Sequence, residues 1–138
     1  IKEGEEIVDF QMIDAQGVTS KLSDYKGRYL LLDFWSRGCK ACIKGLAEVN
    51  KAAKEYSDKL TVIGINLDNS ETWTNEVADE TSRMKWINLN AYKNNNILRL
   101  YAPKGIPRYM IISPDGKIEK AWYWSAGSLE GNLKKYVK

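Results

Sequence analysis

Cys39 and Cys42 are the only cysteines among 138 residues, and they stand three apart in the stretch DFWSRGCKACIKG, after an apolar run and before a segment with helical spacing. Sulfur atoms this close can bind a metal, staple the chain, fill space or exchange electrons. A closed zinc site wants four Cys or His ligands, and this chain has two Cys and no His. A bridge closing about four residues is worth roughly 2 kcal/mol in the loop-entropy model, against about 4.7 kcal/mol for a hundred-residue loop, so as a staple the placement is poor. Two small buried apolar residues would leave the spacing without a reason. Redox exchange accounts for it. In the first turn of a helix, positions i and i+3 hold Cα atoms about 5 Å apart, so a disulfide opens and closes there with little backbone movement.

Position divides the labour between the two sulfurs. A cysteine at or just before the first turn meets unpaired amide N–H groups and the positive end of the helix dipole, which favour its thiolate, and Arg37 and Lys40 add positive potential. Cys39 is therefore the expected nucleophile. Cys42, one turn on and aligned with Leu46, should be more buried and less acidic, which suits a resolving thiol. Asp33 lies six residues before Cys39 inside YLLLDFW, where a charge is seldom buried without a partner or a purpose. Two readings stay open for it. One is an acid whose pKa is raised by desolvation and which trades a proton with Cys42, directly or through water; the other is a strand-end aspartate bonded to backbone. Pro107, in GIP ahead of RYMIIS, either starts an edge strand or closes a cis peptide. A cis bond would turn Ile106 towards the cysteines and leave its N–H and C=O free to pair with an extended substrate peptide.

Such residues need a frame, and hydrophobic periodicity supplies one. RYLLLDFW is nearly continuous in apolar character, the pattern of a strand covered on both faces. Cys42, Leu46, Val49, Ala53 and Tyr56 then recur at steps of four, three, four and three, one face of a helix. LTVIGINLD reads as a second buried strand, followed by helical spacing at Trp73, Val77, Thr81 and Met84. Earlier, VDFQMID and VTSKL predict a short hairpin. After WINLN, a helix is expected around NNNILRLY; GIPRYMIISPDGKIEKAWYW predicts an antiparallel hairpin about a Pro-Asp-Gly turn, and Leu129, Leu133, Tyr136 and Val137 a closing helix. Strand alternation puts Trp122 and Trp124 on one face of the last strand, as core packing or as an exposed docking patch. Lys104 and Arg108 read as solvated charges, or as contacts for an acidic substrate segment. The expected fold is α/β: a central mixed β-sheet flanked by helices on both faces, with an N-terminal β-hairpin and a helical insertion after the second parallel strand. Residues 1–138 read as a single domain, and its ligand edge should lie at the carboxyl ends of the parallel strands, where Cys39 falls.

Composition narrows the partners. A chain that is 43% hydrophobic at this length buries a core without cross-links, and 21 Lys and Arg against 18 Asp and Glu are interspersed rather than gathered into a basic stripe, so nucleic acid is not expected. The longest strongly apolar run, YLLLDFW, is far short of the roughly 20 residues that cross a bilayer. The sequence begins at Ile1 rather than Met, which fits a mature form or fragment whose export signal or anchor has been removed.

An apolar strand ending in DFW, C-x-x-C opening a helix, and GIP before a hairpin with PDGKI resemble the thioredoxin superfamily over nearly the whole chain. More narrowly, the LSDYKGRYLLLDFW entrance and the insertion after NLD are similar to the TlpA/ResA-like thiol-disulfide oxidoreductases, usually exported and often membrane-tethered in bacteria. The resemblance implies that Cys39 attacks, Cys42 resolves, Asp33 is the buried acid beneath them, Pro107 is cis, and Trp35 is the aromatic beside the redox pair. It implies substrate contacts at Ile106, Pro107, Trp35 and Gly38, no cofactor beyond the redox-active disulfide, and no metal. Protein thiols or disulfides and an upstream thiol-disulfide electron donor are the implied partners of a monomer placed in the periplasm or otherwise outside the cytoplasm. Gly38 stands where the family often has Trp, Lys40-Ala41 where Gly-Pro is common, and Ala47 where Pro is usual. Gly45 replaces the Glu of some cytochrome-maturation members, which argues against a haem-protein reductase. Two rivals remain: a thioredoxin-fold peptide-binding module without turnover, and a peroxiredoxin-like peroxidase, whose P-x-x-x-(S/T)-x-x-C pattern is met at Ser36 but not at Leu32.

Overall fold

The computed structural model describes residues 1–92 and 96–138. Its seven strands are β1 (Gln11–Ile13), β2 (Thr19–Lys21), β3 (Tyr29–Trp35), β4 (Leu60–Asn66), β5 (Ile87–Asn90), β6 (Arg108–Ile112) and β7 (Ile118–Tyr123), joined in one sheet in the order β2-β1-β5-β4-β3-β6-β7. β3 is central because it is apolar at nearly every position and none of its residues is exposed. It runs parallel to β4 from Tyr29 opposite Leu60 to Trp35 opposite Asn66, and antiparallel to β6. A parallel pair requires a crossover. That between β3 and β4 is made by α1 (Lys40–Lys44) and α2 (Leu46–Glu55). The next, from β4 to the parallel β5, is α3 (Ser70–Thr72), a π-helical turn at Trp73–Val77 and α4 (Ala78–Thr81). α5 (Ile97–Tyr101) leads into the β6–β7 hairpin, and α6 (Leu129–Tyr136) closes the chain.

The period of two along β3 divides the interior. Leu30, Leu32 and Phe34 pack with Met12, Ile63, Ile65, Tyr101 and Met110 on one face. Leu31 packs with Val62, Tyr109, Ile111, Val49, Leu129 and Leu133 on the other, beneath α2 and α6. Burying each of these large side chains stabilises the fold by about 1.5–3 kcal/mol.

Four details differ from the sequence reading. The helix expected to run from Cys42 to Tyr56 is broken at Gly45, which ends α1 and begins α2. A Cβ there would stand 2.6 Å from the Tyr109 hydroxyl and 3.1 Å from the Ala126 Cβ, so only glycine allows the close approach. Trp124 does not continue β7: it takes φ +75, its N–H donates to the Pro107 carbonyl at 2.8 Å, and its ring is half exposed. Arg108 is not solvated, since its guanidinium lies 4.0 Å from the Tyr123 ring centroid and its Nε donates to the Tyr101 carbonyl at 2.9 Å. Met84 lies beyond α4, where its sulfur accepts from Asn88 Nδ2 at 3.2 Å. The helix expected around NNNILRLY is seen as α5, and Asn94 and Asn95 lie outside the described residues. Among the described residues no helix is long and apolar enough to cross a membrane.

Candidate active site

Cys39 and Cys42 are joined by a disulfide with Cα atoms 5.2 Å apart. Cys39 is the residue from which α1 starts: its backbone is extended, and its Sγ accepts from the Cys42 N–H at 3.2 Å, taking up one of the free amides of the first turn. Cys39 is half-buried, whereas Cys42 is fully enclosed, so an incoming sulfur meets Cys39 first. Around the pair lie Trp35, Trp73, Val77 and Ala78, with half-buried Ile13 and Ile106 at the edge. The insertion after β4 therefore roofs the redox pair with apolar surface, and Trp35 is both a core residue and a wall of the site.

Ile106 and Pro107 reach the same place from β6. Their peptide bond is cis, and among the described residues no backbone hydrogen bond occupies the N–H or C=O of Ile106. Gly38 is exposed, with open space where a Cβ would stand, so the approach to Cys39 is uncrowded on that side. A groove of about 380 Å³ is lined by Ala41, which lies between the two cysteines in sequence, and by Lys44, Glu48 and Trp124.

Asp33 sits two residues before Trp35 on the same face of β3, 1% exposed. Neither carboxyl oxygen has a hydrogen-bond partner, so a strand-end aspartate tied to backbone is not what is observed. Desolvation disfavours the charged form and pushes its pKa up from 3.8 to about 7. Tyr109, directly opposite Asp33 on β6, carries a buried hydroxyl with no partner, and burial together with the Asp33 charge drives its pKa far above the usual phenol value. Sequence reading missed Tyr109, because a tyrosine in RYMIIS looks like any strand aromatic.

The electropositive rim expected from Arg37 is not formed by that residue. Its guanidinium pairs with Glu76 at 2.9 Å and lies 3.8 Å from Glu80, so its charge is spent on α4 and the π-helical turn. Its backbone N–H instead donates to Asp68 Oδ2 at 2.8 Å, anchoring the loop before Cys39. Asp68 belongs to a polar network: Asn66 Nδ2 donates to Asp68 Oδ2 at 2.8 Å, and Asn90 Nδ2 to Asn66 Oδ1 at 2.9 Å and to the Asp68 carbonyl at 2.8 Å. Asn66 and Asn90 are buried. A polar residue inside LTVIGINLD was the available signal, of the same kind as Asp33. Among the described residues, no group of three or more His, Cys, Asp and Glu side chains is placed to hold a metal ion.

Comparison with known proteins agrees with this geometry. The chain is 39% identical over 71 residues to the thioredoxin-like protein YneN of Bacillus subtilis, covering 51% of this chain and 42% of that protein. It is 25% identical over 116 residues to the thiol-disulfide oxidoreductase ResA of Bacillus thuringiensis subsp. konkukian, covering 83% of this chain and 66% of that one. It thus spans less than two thirds of the length of either relative. Among solved structures, the thioredoxin domain of a thiol-disulfide oxidoreductase from Bacteroides vulgatus superposes with a TM-score of 0.84 at 26% identity, covering 100% of this chain and 99% of that one. The fold is thioredoxin-like, and the model of the AhpC/TSA family matches residues 4–121: the chain belongs to that family.

Proposed function

We propose that this chain is a thiol-disulfide oxidoreductase acting on protein thiols, with Cys39 as nucleophile, Cys42 as resolving thiol and Asp33 as proton carrier. The observation that carries this reading is the bonded Cys39–Cys42 pair at the start of α1, half open at Cys39 and closed at Cys42, on the same side of the sheet as an unpartnered carboxyl. In the reducing direction the Cys39 thiolate attacks one sulfur of a substrate disulfide. That S–S bond breaks, a mixed disulfide forms, and the departing substrate thiolate takes up a proton. The Asp33 carboxylate accepts the proton of Cys42, whose sulfur attacks Cys39 and expels the second substrate thiolate. The substrate gains two electrons and two protons, and the chain is left as the Cys39–Cys42 disulfide until a thiol-disulfide donor reduces it.

The substrate segment pairs with the free backbone of Ile106 beside Pro107 and passes Gly38 and Trp35, in the manner of strand addition. Residues 1–138 act as one monomeric domain of a longer exported protein, outside the cytoplasm; similarity to the exported ResA-like branch supports that placement. Reduction of insulin by a dithiol tests the reading. The wild type is expected to turn over many times, Cys39→Ser to stay at background, and Cys42→Ser to accumulate the mixed disulfide on Cys39. Equal rates for wild type and Cys39→Ser would leave only a peptide-binding module. The reduction potential of the pair then assigns reductant or oxidant.

A further inference from the structure

Five residues form one row across the sheet: Asn88 on β5, Gly64 on β4, Asp33 on β3, Tyr109 on β6 and Trp122 on β7, each opposite the next. Residues opposite one another share a face, so these are lateral neighbours. Gly64 offers Asp33 no side chain, and the Asn88 amide lies across it, with its Oδ1 overlapping the place of a Cβ and Trp35 Nε1 3.1 Å from that place. On the other side stands Tyr109, stacked on Trp122 with centroids 5.4 Å apart, its hydroxyl held at Gly45 beneath the redox helices. Among the described residues six buried side-chain polar atoms lack a hydrogen-bond partner, and five of them belong to Asp33, Trp35, Asn88 and Tyr109. Unsatisfied buried groups are costly and few in native proteins, so their gathering in one place calls for a function.

We propose that Tyr109 is a positioning residue for Asp33: its hydroxyl, seated in the space that Gly45 leaves, sets how firmly the Asp33 carboxyl holds its proton, and Asp33 passes that setting to Cys42. The second half rests on the function proposed above; the first half does not. Among the described residues no charged side chain faces the carboxyl. The facing groups are Gly64 from β4, neutral Asn88 from β5 and the Tyr109 hydroxyl from β6, while α1 brings Cys42 into the cluster with Trp35. Lys40 and Lys44 on α1 and Glu48 on α2 are exposed to solvent. With no ion to compete, a neutral dipole in a water-poor layer has large leverage on its neighbour. Direct opposition on neighbouring strands makes the two side chains lateral neighbours on one face, and neither the hydroxyl nor the carboxyl has a hydrogen-bond partner of its own.

The decisive measurement is the titration of the Asp33 carboxyl carbon by NMR in the oxidised protein, for wild type, Tyr109→Phe and Tyr101→Phe. Tyr109→Phe keeps the ring and its stack and removes only the hydroxyl dipole, which on this proposal favours the carboxylate. The Asp33 midpoint is expected to rise by about half to one pH unit, and the midpoint of the Cys42-dependent step of disulfide exchange with it. Tyr101→Phe, which removes a hydroxyl bonded to Val8 on the opposite face, is expected to leave the midpoint in place. An unmoved or lowered midpoint in Tyr109→Phe, or an equal shift in Tyr101→Phe, overturns the proposal. Gly45→Ala, whose methyl would displace the hydroxyl, is expected to act like Tyr109→Phe; if it does not fold, the two Phe variants still decide. Because the titration needs no turnover, a shift without insulin reduction would sink the oxidoreductase reading and leave the Tyr109–Asp33 coupling standing, and the reverse result would do the opposite.

Discussion

Two buried polar clusters lie close together in this sheet, and the chain treats them in opposite ways. At the carboxyl ends of β4 and β5, Asn66, Asp68 and Asn90 exchange five hydrogen bonds with one another and hold the Arg37 amide by a sixth. Around Asp33, by contrast, both carboxyl oxygens, the Trp35 indole N–H, the Asn88 amide oxygen and the Tyr109 hydroxyl are buried without hydrogen-bond partners. The first cluster sets the shape of the loop that delivers Cys39. The second gives up stability and gains a group that titrates near neutrality. A satisfied network fixes geometry, and an unsatisfied one keeps a proton movable.

The largest effect that would break this contrast is at Asp33. Its pKa is about 7 in the fold and 3.8 is the ordinary value, so between those pH values the native state holds a proton that the unfolded chain has released. Stability must then fall as pH rises from about 4 to about 7 and stay low above, by about 4 kcal/mol in all. Asp33→Asn is expected to remove that decline: near-equal stability to wild type at pH 4, several kcal/mol more at pH 8, and a flattened pH profile for disulfide exchange. Urea unfolding at a series of pH values checks it, and parallel curves for the two proteins would refute it. Asn66→Ala should behave in the opposite sense, costing about 2–3 kcal/mol at every pH, because Asn90 and Asp68 lose buried partners. A pH-dependent loss there would erase the distinction between the clusters. Asp68→Ala should cost about 1–2 kcal/mol and, by freeing the Arg37 amide, speed reduction of the disulfide by a small thiol, read from the rate of thiol release. The smallest effect belongs to Arg37→Ala, whose exposed pairs with Glu76 and Glu80 are worth less than about 1 kcal/mol, a difference that should vanish at high salt.

Much of the site could be read before any coordinates because its signals are local. Cys39 and Cys42 announce themselves by spacing, Asp33 by interrupting an apolar strand, and Pro107 by preceding one. Tyr109 gave no such signal: its part depends on standing opposite Asp33 across two strands seventy-six positions apart in sequence and on a helix break at Gly45, neither of which period or propensity records. Arg37 misled for a similar reason, since Glu76 and Glu80 reach it only through the fold of the insertion. At Trp124 the alternation of β7 ends one residue short of the expected pattern, because its N–H turns to Pro107 and Ser125 opens a 3-10 turn. Asn66 is legible by the same rule as Asp33, although an amide inside an apolar strand looks less out of place than a carboxyl.

The bare position at Gly64 has a consequence for anyone wishing to retune this protein. Supplying Asp33 with a cationic counterpart from the neighbouring parallel strand, the obvious engineering route to a more acidic carboxyl, is obstructed, since any substituent at Gly64 would have to displace the Asn88 amide and crowd the Trp35 indole. Adjustment has to come from the antiparallel side, where the chain already keeps a replaceable aromatic.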